Sequence, residues 1–141
     1  MGTILCATRG GEASYRAQDA AVALAKERGD ELLFLYVVDI GFLQRAERAV
    51  RPDVVKAEIE KMGEFLLVMA QERAQKQGVE ARYALCHGDL RDELKAAACE
   101  EAVDLVVLGQ PAGPESAFAL ADLEACAAEI EAETGVKACI I

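Results

Sequence analysis

A pair of glycines follows the first apolar segment of the chain, in the run Thr8-Arg9-Gly10-Gly11. Two glycines let a ligand come close to backbone amides, and a helical pattern begins just beyond them, so free N–H groups could face an anion. The run matches neither GxGxxG nor GxxxxGK, the patterns with a known phosphate-binding mechanism. As a phosphate motif it is therefore weak.

Four arginines follow the first two apolar segments and could converge on one anion. Arg9 comes after the first segment, and Arg45, Arg48 and Arg51 lie in the stretch after the second. A guanidinium can donate two parallel hydrogen bonds to a carboxylate or a phosphate, which suits an anion-binding rim. The alternative is that they are solvated surface charges, with Arg9 paired to Glu12, because exposed charges commonly contribute little.

Residue types that catalyse reactions form no recognisable constellation. The only histidine, His87, has Cys86 beside it, and adjacent residues in a strand point to opposite faces of a sheet. No paired carboxylates, triad or metal cluster can be identified, so the chain is predicted not to be an enzyme. Asp39 could contact a ligand or cap a turn, and Asp89 is predicted to cap the helix that follows it.

The cysteines are scattered singly and form no CxxC pair. We expect them to be reduced, buried, small apolar side chains, and we expect no metal site. They are Cys6, Cys86, Cys99, Cys126 and Cys139.

Two apolar periodicities alternate along the chain and predict the elements that position these residues. The runs 32–38 and 105–108 are continuously apolar, which is typical of strands near the centre of a sheet that is covered on both faces. The predicted strands are Thr3 to Ala7, Glu31 to Val38, Val79 to Cys86, Asp104 to Leu108 and Val136 to Ile141.

Helical stripes with apolar residues at three- and four-residue spacing lie between the strands. Gly29, Gly78 and Gly135 each follow such a stripe, where a left-handed residue can close the helix. The stripes are Ala17, Ala20, Ala21 and Leu24; Val55, Ile59, Met62, Leu66 and Met69; Leu90, Leu94, Ala97 and Ala98; and Leu123, Cys126, Ala127 and Ile130.

A strand-helix alternation of this kind predicts an α/β fold, a doubly wound open parallel sheet with helices on both faces. No boundary or repeat interrupts the pattern, so residues 1–141 are predicted to form a single domain. The irregular stretches Asp39 to Pro52 and Gly109 to Ser116 follow the carboxyl ends of strands, where open α/β sheets bind their ligands.

The formal net charge of −10 opposes the phosphate contacts on which nucleic-acid binding depends and gives no attraction to anionic lipids. No signal peptide or membrane span is recognisable, since Met1 leads straight into a strand-like segment. We therefore expect a cytoplasmic protein that binds neither nucleic acid nor a membrane.

Three segments of the chain resemble the universal stress protein family. The run from Ile4 to Gly11, followed by Ser14, is similar to the family's opening I-L-V-A-T-D-G-S. His87-Gly88-Asp89-Leu90, and later Ala102 to Gly109, are similar to its G-D-x-x-x-x-I and A-D-L-I-V-M-G. The last strand, Val136 to Ile141, ends where the family's fifth strand ends. The resemblance covers essentially the whole chain.

The resemblance implies a five-stranded sheet of order 3-2-1-4-5 and, as in many members, an ATP pocket at the ends of strands one, two and four. The residues at the matching positions of this chain are Ala7, Thr8, Arg9, Gly10, Val38, Asp39, Gly109 and Gly113.

The chain departs from the nucleotide-binding pattern of the family at several positions. The family's G-x-x-G is here Gly109-Gln110-Pro111-Ala112-Gly113, one residue longer, and Pro111 has no amide donor. Nine residues further on, Leu123 and Glu124 stand where the family has a glycine and a hydroxyl. Arg9 replaces the first-strand aspartate of the family. We therefore predict that ATP does not bind in the usual family manner.

The charge of the segment that follows this loop supports the same prediction. No lysine or arginine occurs between Gln110 and Val136, whereas six carboxylates do, and they would repel a triphosphate. Acidic residues early in a helix also take the place of an anion at its N-terminus. The six are Glu115, Asp122, Glu124, Glu129, Glu131 and Glu133.

The final strand, Val136 to Ile141, is apolar except for Lys137 and lies at the sheet edge in the implied order. An unprotected apolar edge tends to recruit another strand. Members of the family commonly dimerise by pairing their fifth strands, so the resemblance implies a homodimer.

The sequence thus favours a cytoplasmic stress-response or regulatory module with a degenerate nucleotide pocket and no resident cofactor. Two alternatives stay open. One is an ATP or adenine-nucleotide binder that uses altered contacts. The other is a binder of a small anionic metabolite at Arg9 and the Arg45–Arg51 segment.

Overall fold

The computed structural model describes residues 2–8, 12–39, 52–100, 102–109 and 120–141. Within these ranges five strands alternate with four helices, which is the predicted order. The strands are β1 (Thr3–Ala7), β2 (Glu31–Asp39), β3 (Ala81–Gly88), β4 (Val103–Leu108) and β5 (Lys137–Ile140), and the helices are α1 (Glu12–Arg28), α2 (Pro52–Lys76), α3 (Leu90–Glu100) and α4 (Leu120–Thr134).

All four strand pairs are parallel, and the sheet order is β3-β2-β1-β4-β5. This confirms the predicted fold class and strand order. It also confirms the central position of the two continuously apolar runs, because β2 and β4 flank β1 on either side. β3 and β5 form the two edges of the sheet.

Each face of the sheet carries its own apolar core. The first lies under α1 and α2 and includes Ile4, Phe34 and Leu67, which are all fully buried. The second lies under α3 and α4 and includes Leu94 and Ile130. The alternation of side chains along each strand distributes its residues between the two cores.

The predicted apolar stripes of α1, α3 and α4 pack against the sheet, whereas the stripe predicted for α2 is wrong at its two methionines. Ile59 and Leu66 are partly buried, and the side chain of Val55 lies outside the described residues. Met62 is 59% exposed and Met69 36% exposed, and the buried face of α2 consists instead of Gly63, Leu67, Ala70 and Ala74. Small residues face the sheet because the helix approaches it closely. A Cβ at position 63 would lie 2.6 Å from a ring carbon of Tyr36.

Glycines close three of the helices, as predicted. Gly29, Gly78 and Gly135 have φ angles of 71°, 78° and 74°, in the left-handed region. The turn between α3 and β4 differs, because there the left-handed residue is Ala102, with φ of 51°.

Several strand boundaries differ from the prediction by one or two residues: β2 ends at 39 rather than 38, β3 spans 81–88 rather than 79–86, β4 begins at 103 rather than 104, and β5 spans 137–140 rather than 136–141. Local hydrogen bonds explain the starts of β3 and β5. The N–H of Val79 donates to the carbonyl of Ala74, 3.0 Å away, so Val79 belongs to the end of α2 and β3 begins at Ala81. The N–H of Val136 donates to Oγ1 of Thr134 at 3.2 Å, and β5 begins one residue later.

The cysteines were all expected to be buried, and this is wrong for part of the set. Cys6 and Cys126 are buried, Cys86 and Cys139 are partly buried, and Cys99 is exposed near the end of α3. All five carry free thiols. No helix in the described ranges is both long enough and apolar enough to span a bilayer.

Candidate functional site

The carboxyl ends of β1, β2 and β4 lie together at one end of the strands, where the candidate residues were predicted. The connection after β1 leads to β2 on one side, and the connection after β4 leads to β5 on the other. This reversal is the topological switch point at which open α/β sheets bind ligands.

The three strands do not all end at the same level, and the strand register shows the difference. Ala7 pairs with Leu35, and Cys6 pairs with Val107, so Thr8 and Gly109 follow their strands at about the same level. β2 continues to Asp39, which places Val38 roughly 10 Å beyond Leu35 at the usual rise of a strand. The ends of β1 and β4 thus form a floor, and the longer β2 forms a wall beside it.

Thr8 is held rigidly at this floor. It is 1% exposed, and its N–H donates to the carbonyl of Leu35 at 2.9 Å. Its Oγ1 accepts a hydrogen bond of 2.6 Å from Nε2 of Gln18 on α1. Gln18 is 2% exposed, and its Oε1 is buried and has no hydrogen-bond partner among the described residues.

The structure brings together Ala7, Thr8, Val38 and Gly109 of the predicted site residues, together with the backbone of Asp39. Thr8, Val38 and Gly109 are buried, and Ala7 is partly buried. The other predicted residues lie outside the described residues: Arg9, Gly10 and Gly113, together with Arg45, Arg48, Arg51 and the side chain of Asp39.

Gln18 is the residue of this site that the sequence interpretation missed. It lies ten positions from Thr8 and contacts it only because α1 is oriented with Gln18 facing the end of β1. One signal was available, because Gln18 is three positions before Ala21 and next to Ala17, which are both fully buried on the same helix.

Leu123 and Glu124 occupy the positions where the sequence departs from the nucleotide-binding pattern. Leu123 is 2% exposed and belongs to the core under α3 and α4, while Glu124 is exposed. Leu123 keeps a backbone N–H but adds a side chain where a glycine has none, and the Glu124 carboxylate has no hydroxyl to donate at neutral pH. These two positions therefore lack the glycine and the hydroxyl of that pattern.

Part of the negative charge of α4 is compensated within the fold. Lys95 of α3 lies 2.6 Å from Glu133 and 3.5 Å from Glu129, and Arg91 lies 3.7 Å from Glu129. Hydrogen bonding to Glu133 is the main cause that raises the pKa of Lys95. Because Glu129 and Glu133 are compensated in this way, the repulsion predicted for a triphosphate is smaller than six unpaired carboxylates would cause. Glu124 has no such ion pair within the described residues.

At the neighbouring carboxyl end of β3, His87 has the structural or solvent-facing role that was predicted for it. Nε2 of His87 is 2.8 Å from Oε1 of Glu60 on α2, whereas Cys86 packs against the opposite core, so the two residues point to opposite faces. Burial, followed by Glu93 and Glu100, raises the pKa of the Cys86 thiol and disfavours a thiolate nucleophile.

Asp89 caps α3 as predicted. Its Oδ1 accepts the N–H groups of Arg91 at 3.0 Å and Asp92 at 3.3 Å, which are the second and third residues of the helix. Among the described residues, no three histidine, cysteine or acidic side chains are grouped so that they could hold a metal ion.

The sequence matches the model of the universal stress protein family over residues 1–130. It is 33% identical over 115 residues to the universal stress protein YxiE of Bacillus subtilis (strain 168), an alignment that covers 75% of this chain and 76% of that protein.

The fold matches solved structures over almost its whole length. A protein of the universal stress protein family from Burkholderia pseudomallei superposes with a TM-score of 0.75 at 23% identity, covering 99% of this chain and 95% of that one. A universal stress protein in complex with cAMP gives 0.70 at 23% identity and coverages of 99% and 96%. One from Archaeoglobus fulgidus in complex with dAMP gives 0.64 at 17% identity and coverages of 100% and 97%.

Proposed function

This chain belongs to the universal stress protein family, and from that premise we propose that it is a cytoplasmic, non-enzymatic stress-response or regulatory module with a degenerate nucleotide pocket. The observation that carries the proposal is the pair Leu123 and Glu124. A core leucine and an exposed carboxylate stand where the nucleotide-binding pattern has a glycine and a hydroxyl.

A second candidate function is adenine-nucleotide binding through altered contacts. The difference in level between Thr8 and Val38 supports it, and so does the unpartnered Oε1 of Gln18 beside Thr8. Two solved structures of similar fold are complexes with cAMP and dAMP, which shows what those proteins bind. In this chain, the ligand would have to bind without the loop contacts that the family pattern supplies.

The deciding experiment is a thermal-denaturation series with Mg·ATP, ADP, AMP, cAMP and, as the non-adenine control, GTP. A ligand at 100 times its dissociation constant adds about 2.7 kcal/mol to the free energy of unfolding, which is a shift of several degrees at this chain length. We expect no selective adenine shift. A shift with ATP that GTP does not produce would contradict the degenerate pocket and establish the second candidate.

The third possibility is that the protein binds a small anionic metabolite, and a single substitution tests it. Arg9→Ala removes the guanidinium that follows β1, with Lys26→Ala on the exposed side of α1 as a control for the same loss of charge. Stabilisation by phosphate or a dicarboxylate that Arg9→Ala abolishes and Lys26→Ala retains would support the anion site. Equal stabilisation of all three proteins would exclude a role for Arg9.

We also propose that the protein forms a homodimer through Val136–Ile141. β5 is an edge strand whose residues Ala138, Cys139 and Ile140 are only partly buried. A two-fold axis beside this edge would pair the strand with its copy and cover these side chains.

One contact already occupies part of that edge. The N–H of Ala138 donates to Oε1 of Glu131 on α4 at 3.0 Å. Since the N–H of Ile141 donates towards β4, to the carbonyl of Leu108, the alternation of the strand directs the N–H of Ala138 away from β4. Pairing of two β5 strands therefore requires the Glu131 carboxylate to release this group.

A further inference from the structure

Helix α2 exposes an apolar face that the fold does not use. Phe65 is 64% exposed, Met62 59%, Val68 37% and Met69 36%. We call these four residues the α2 face. It lies on the side of the helix opposite Leu67, which is fully buried against the sheet. Contiguous exposed apolar side chains of this size usually mark an interaction site.

The apolar surface continues from the helix onto the edge strand β3. Phe65 and Val68 line a groove of about 570 Å³ with Tyr83 and Leu85 of that strand. Tyr83 is itself 42% exposed. The α2 face is thus wider than one row of helical residues.

Four charged residues flank the α2 face, two towards each end of the helix. Glu58 and Lys61 precede Met62, and Glu72 and Lys76 follow Met69. All four are exposed, and none of them has an ion pair within the described part of the chain. Their charges are therefore available to a partner.

The spacing of these residues fits a second helix. Glu58, Met62, Phe65, Met69, Glu72 and Lys76 recur at alternating intervals of four and three, which is the seam of a coiled coil. The order of charges is negative then positive in both halves of the helix. A parallel copy would set like charges opposite each other, whereas an antiparallel copy would set opposite charges together.

We propose that the α2 face binds the same face of a second copy of this chain, with the two helices antiparallel. A two-fold axis near positions 66 and 67 places Lys61 opposite the partner's Glu72 and Glu58 opposite the partner's Lys76. Both pairings require almost the same axis, so one arrangement satisfies all four charges. Phe65 then lies against the partner's Val68 and Met69, at the centre of the contact.

This contact is separate from the homodimer proposed above. The α2 face lies beside β3, at the opposite edge of the sheet from β5. The two proposals can therefore fail or hold independently. If both hold, one chain contacts two different copies.

Sedimentation velocity over a wide range of protein concentration at low ionic strength tests the proposal. We expect Phe65→Glu to remove the species that the α2 contact forms, so that the β5 dimer or the monomer is the largest species left. Position 65 is largely exposed, so circular dichroism should show an unchanged fold. If the wild-type and Phe65→Glu proteins had the same mass at every concentration, the proposal would be wrong.

A charge exchange tests the antiparallel register. Lys61→Glu and Glu72→Lys should each weaken association at least about tenfold, because the two-fold axis repeats every like-charge contact. The double variant should restore it. Lys26→Glu, an identical charge change on the exposed side of α1, should have little effect. Failure of the double variant to restore association would overturn the antiparallel arrangement.

A variant of the other edge distinguishes the two contacts. If association persisted in Phe65→Glu and Lys61→Glu but was lost when Ile140 was replaced by lysine, only the β5 contact would exist and the α2 proposal would be overturned. If association was lost in the α2 variants and kept in Ile140→Lys, the α2 proposal would be supported.

Discussion

Gln18 and Thr8 form a polar contact enclosed by apolar residues beside the candidate site. The hydrogen bond between Nε2 of Gln18 and Oγ1 of Thr8 is short, at 2.6 Å, and both residues are almost completely buried. A buried amide that loses its partner pays the full cost of desolvation. The pair therefore ties the end of β1 to α1 and fixes the floor of the site.

We expect Thr8→Val to lower the free energy of unfolding by about 1–3 kcal/mol, because it leaves the Gln18 amide without an acceptor. The double variant Thr8→Val/Gln18→Leu should recover most of that loss, since both polar groups are then removed. Urea unfolding of the wild type, both single variants and the double variant gives the coupling energy. Additive effects would mean that the hydrogen bond does not determine the stability of this contact.

Cys6 gives a prediction about pH. Burial, with a smaller contribution from Cys139, raises the pKa of Cys6 to about 12 from 9.0. The unfolded chain therefore loses this proton first as the pH rises. The stabilising contribution of the protonated thiol is complete below pH 9 and is lost as the pH rises towards 12.

The measurement is the thermal midpoint between pH 8 and pH 10.5 for the wild type and for Cys6→Ala, a window that spans the ordinary pKa of 9.0 and stays below the raised pKa of about 12. Cys6→Ala should be less stable at pH 8 because it leaves a small cavity. Its midpoint should nevertheless fall less steeply with pH than that of the wild type. Parallel curves would assign the alkaline loss of stability to other groups.

The sequence predicted the positions of Ala7, Thr8, Val38 and Gly109 because the ends of parallel strands must meet at one edge of the sheet. It did not predict Gln18, since the contribution of a helix depends on its rotation, which periodicity constrains only loosely. The exposure of Cys99 was missed for a related reason. All five cysteines were expected to be buried as small apolar side chains, but Cys99 follows the buried Ala98 and points away from the core.

At the scale of the elements, α2 is the helix whose buried side differs from the one that the apolar pattern predicted. Large apolar residues occur on both sides of this helix, so the pattern allows two rotations, and hydrophobicity favours the one with the larger residues inward. The structure has the other rotation. Gly63 faces the sheet there and lies so close to the ring of Tyr36 that a Cβ at this position would clash. Small residues thus determine the rotation of the helix.

Helix ends were predicted more reliably, because a glycine directly after a helical stripe can adopt the left-handed backbone that closes the helix. Ala102 is the exception and yields a test. An alanine with φ of 51° is strained, so Ala102→Gly should raise the free energy of unfolding, by up to about 1 kcal/mol after the entropy of the unfolded glycine is subtracted.

The matched control for Ala102→Gly is Ala132→Gly, on the exposed side of α4. Glycine inside a helix should cost about 0.5–1 kcal/mol, so the same replacement has opposite signs at the two positions. Both are measured by urea unfolding. A loss of stability in Ala102→Gly would show that the left-handed alanine is not strained.

At the scale of the whole molecule, the two edges of the sheet differ. β5 is short, and Glu131 binds the N–H of Ala138, a device that protects an edge from indiscriminate pairing. Right-handed crossovers predicted an open parallel sheet, and the resemblance to the family implied its strand order. The sequence did not predict the contact with Glu131, which depends on how α4 is placed relative to β5.

We expect Glu131→Ala to strengthen dimerisation through β5 several-fold, because the N–H of Ala138 is freed and negative charge is removed from a strongly acidic chain. Sedimentation equilibrium in a Phe65→Glu background isolates this contact. Glu124→Ala, also exposed on α4, controls for the charge. Equal dissociation constants for the two variants would show that Glu131 does not restrict the β5 edge.

The position of β1 in the sheet also determines the order in which the protein is assembled as it leaves the ribosome. This strand is made first, yet its main chain at Thr3 is hydrogen bonded to Asp104, 101 residues later. At roughly 5–20 residues per second of synthesis, one apolar flank of β1 stays unpaired for at least several seconds while β2 and β3 are added to the other. We therefore expect the nascent chain to expose this side of β1 from the emergence of β3 until the emergence of β4.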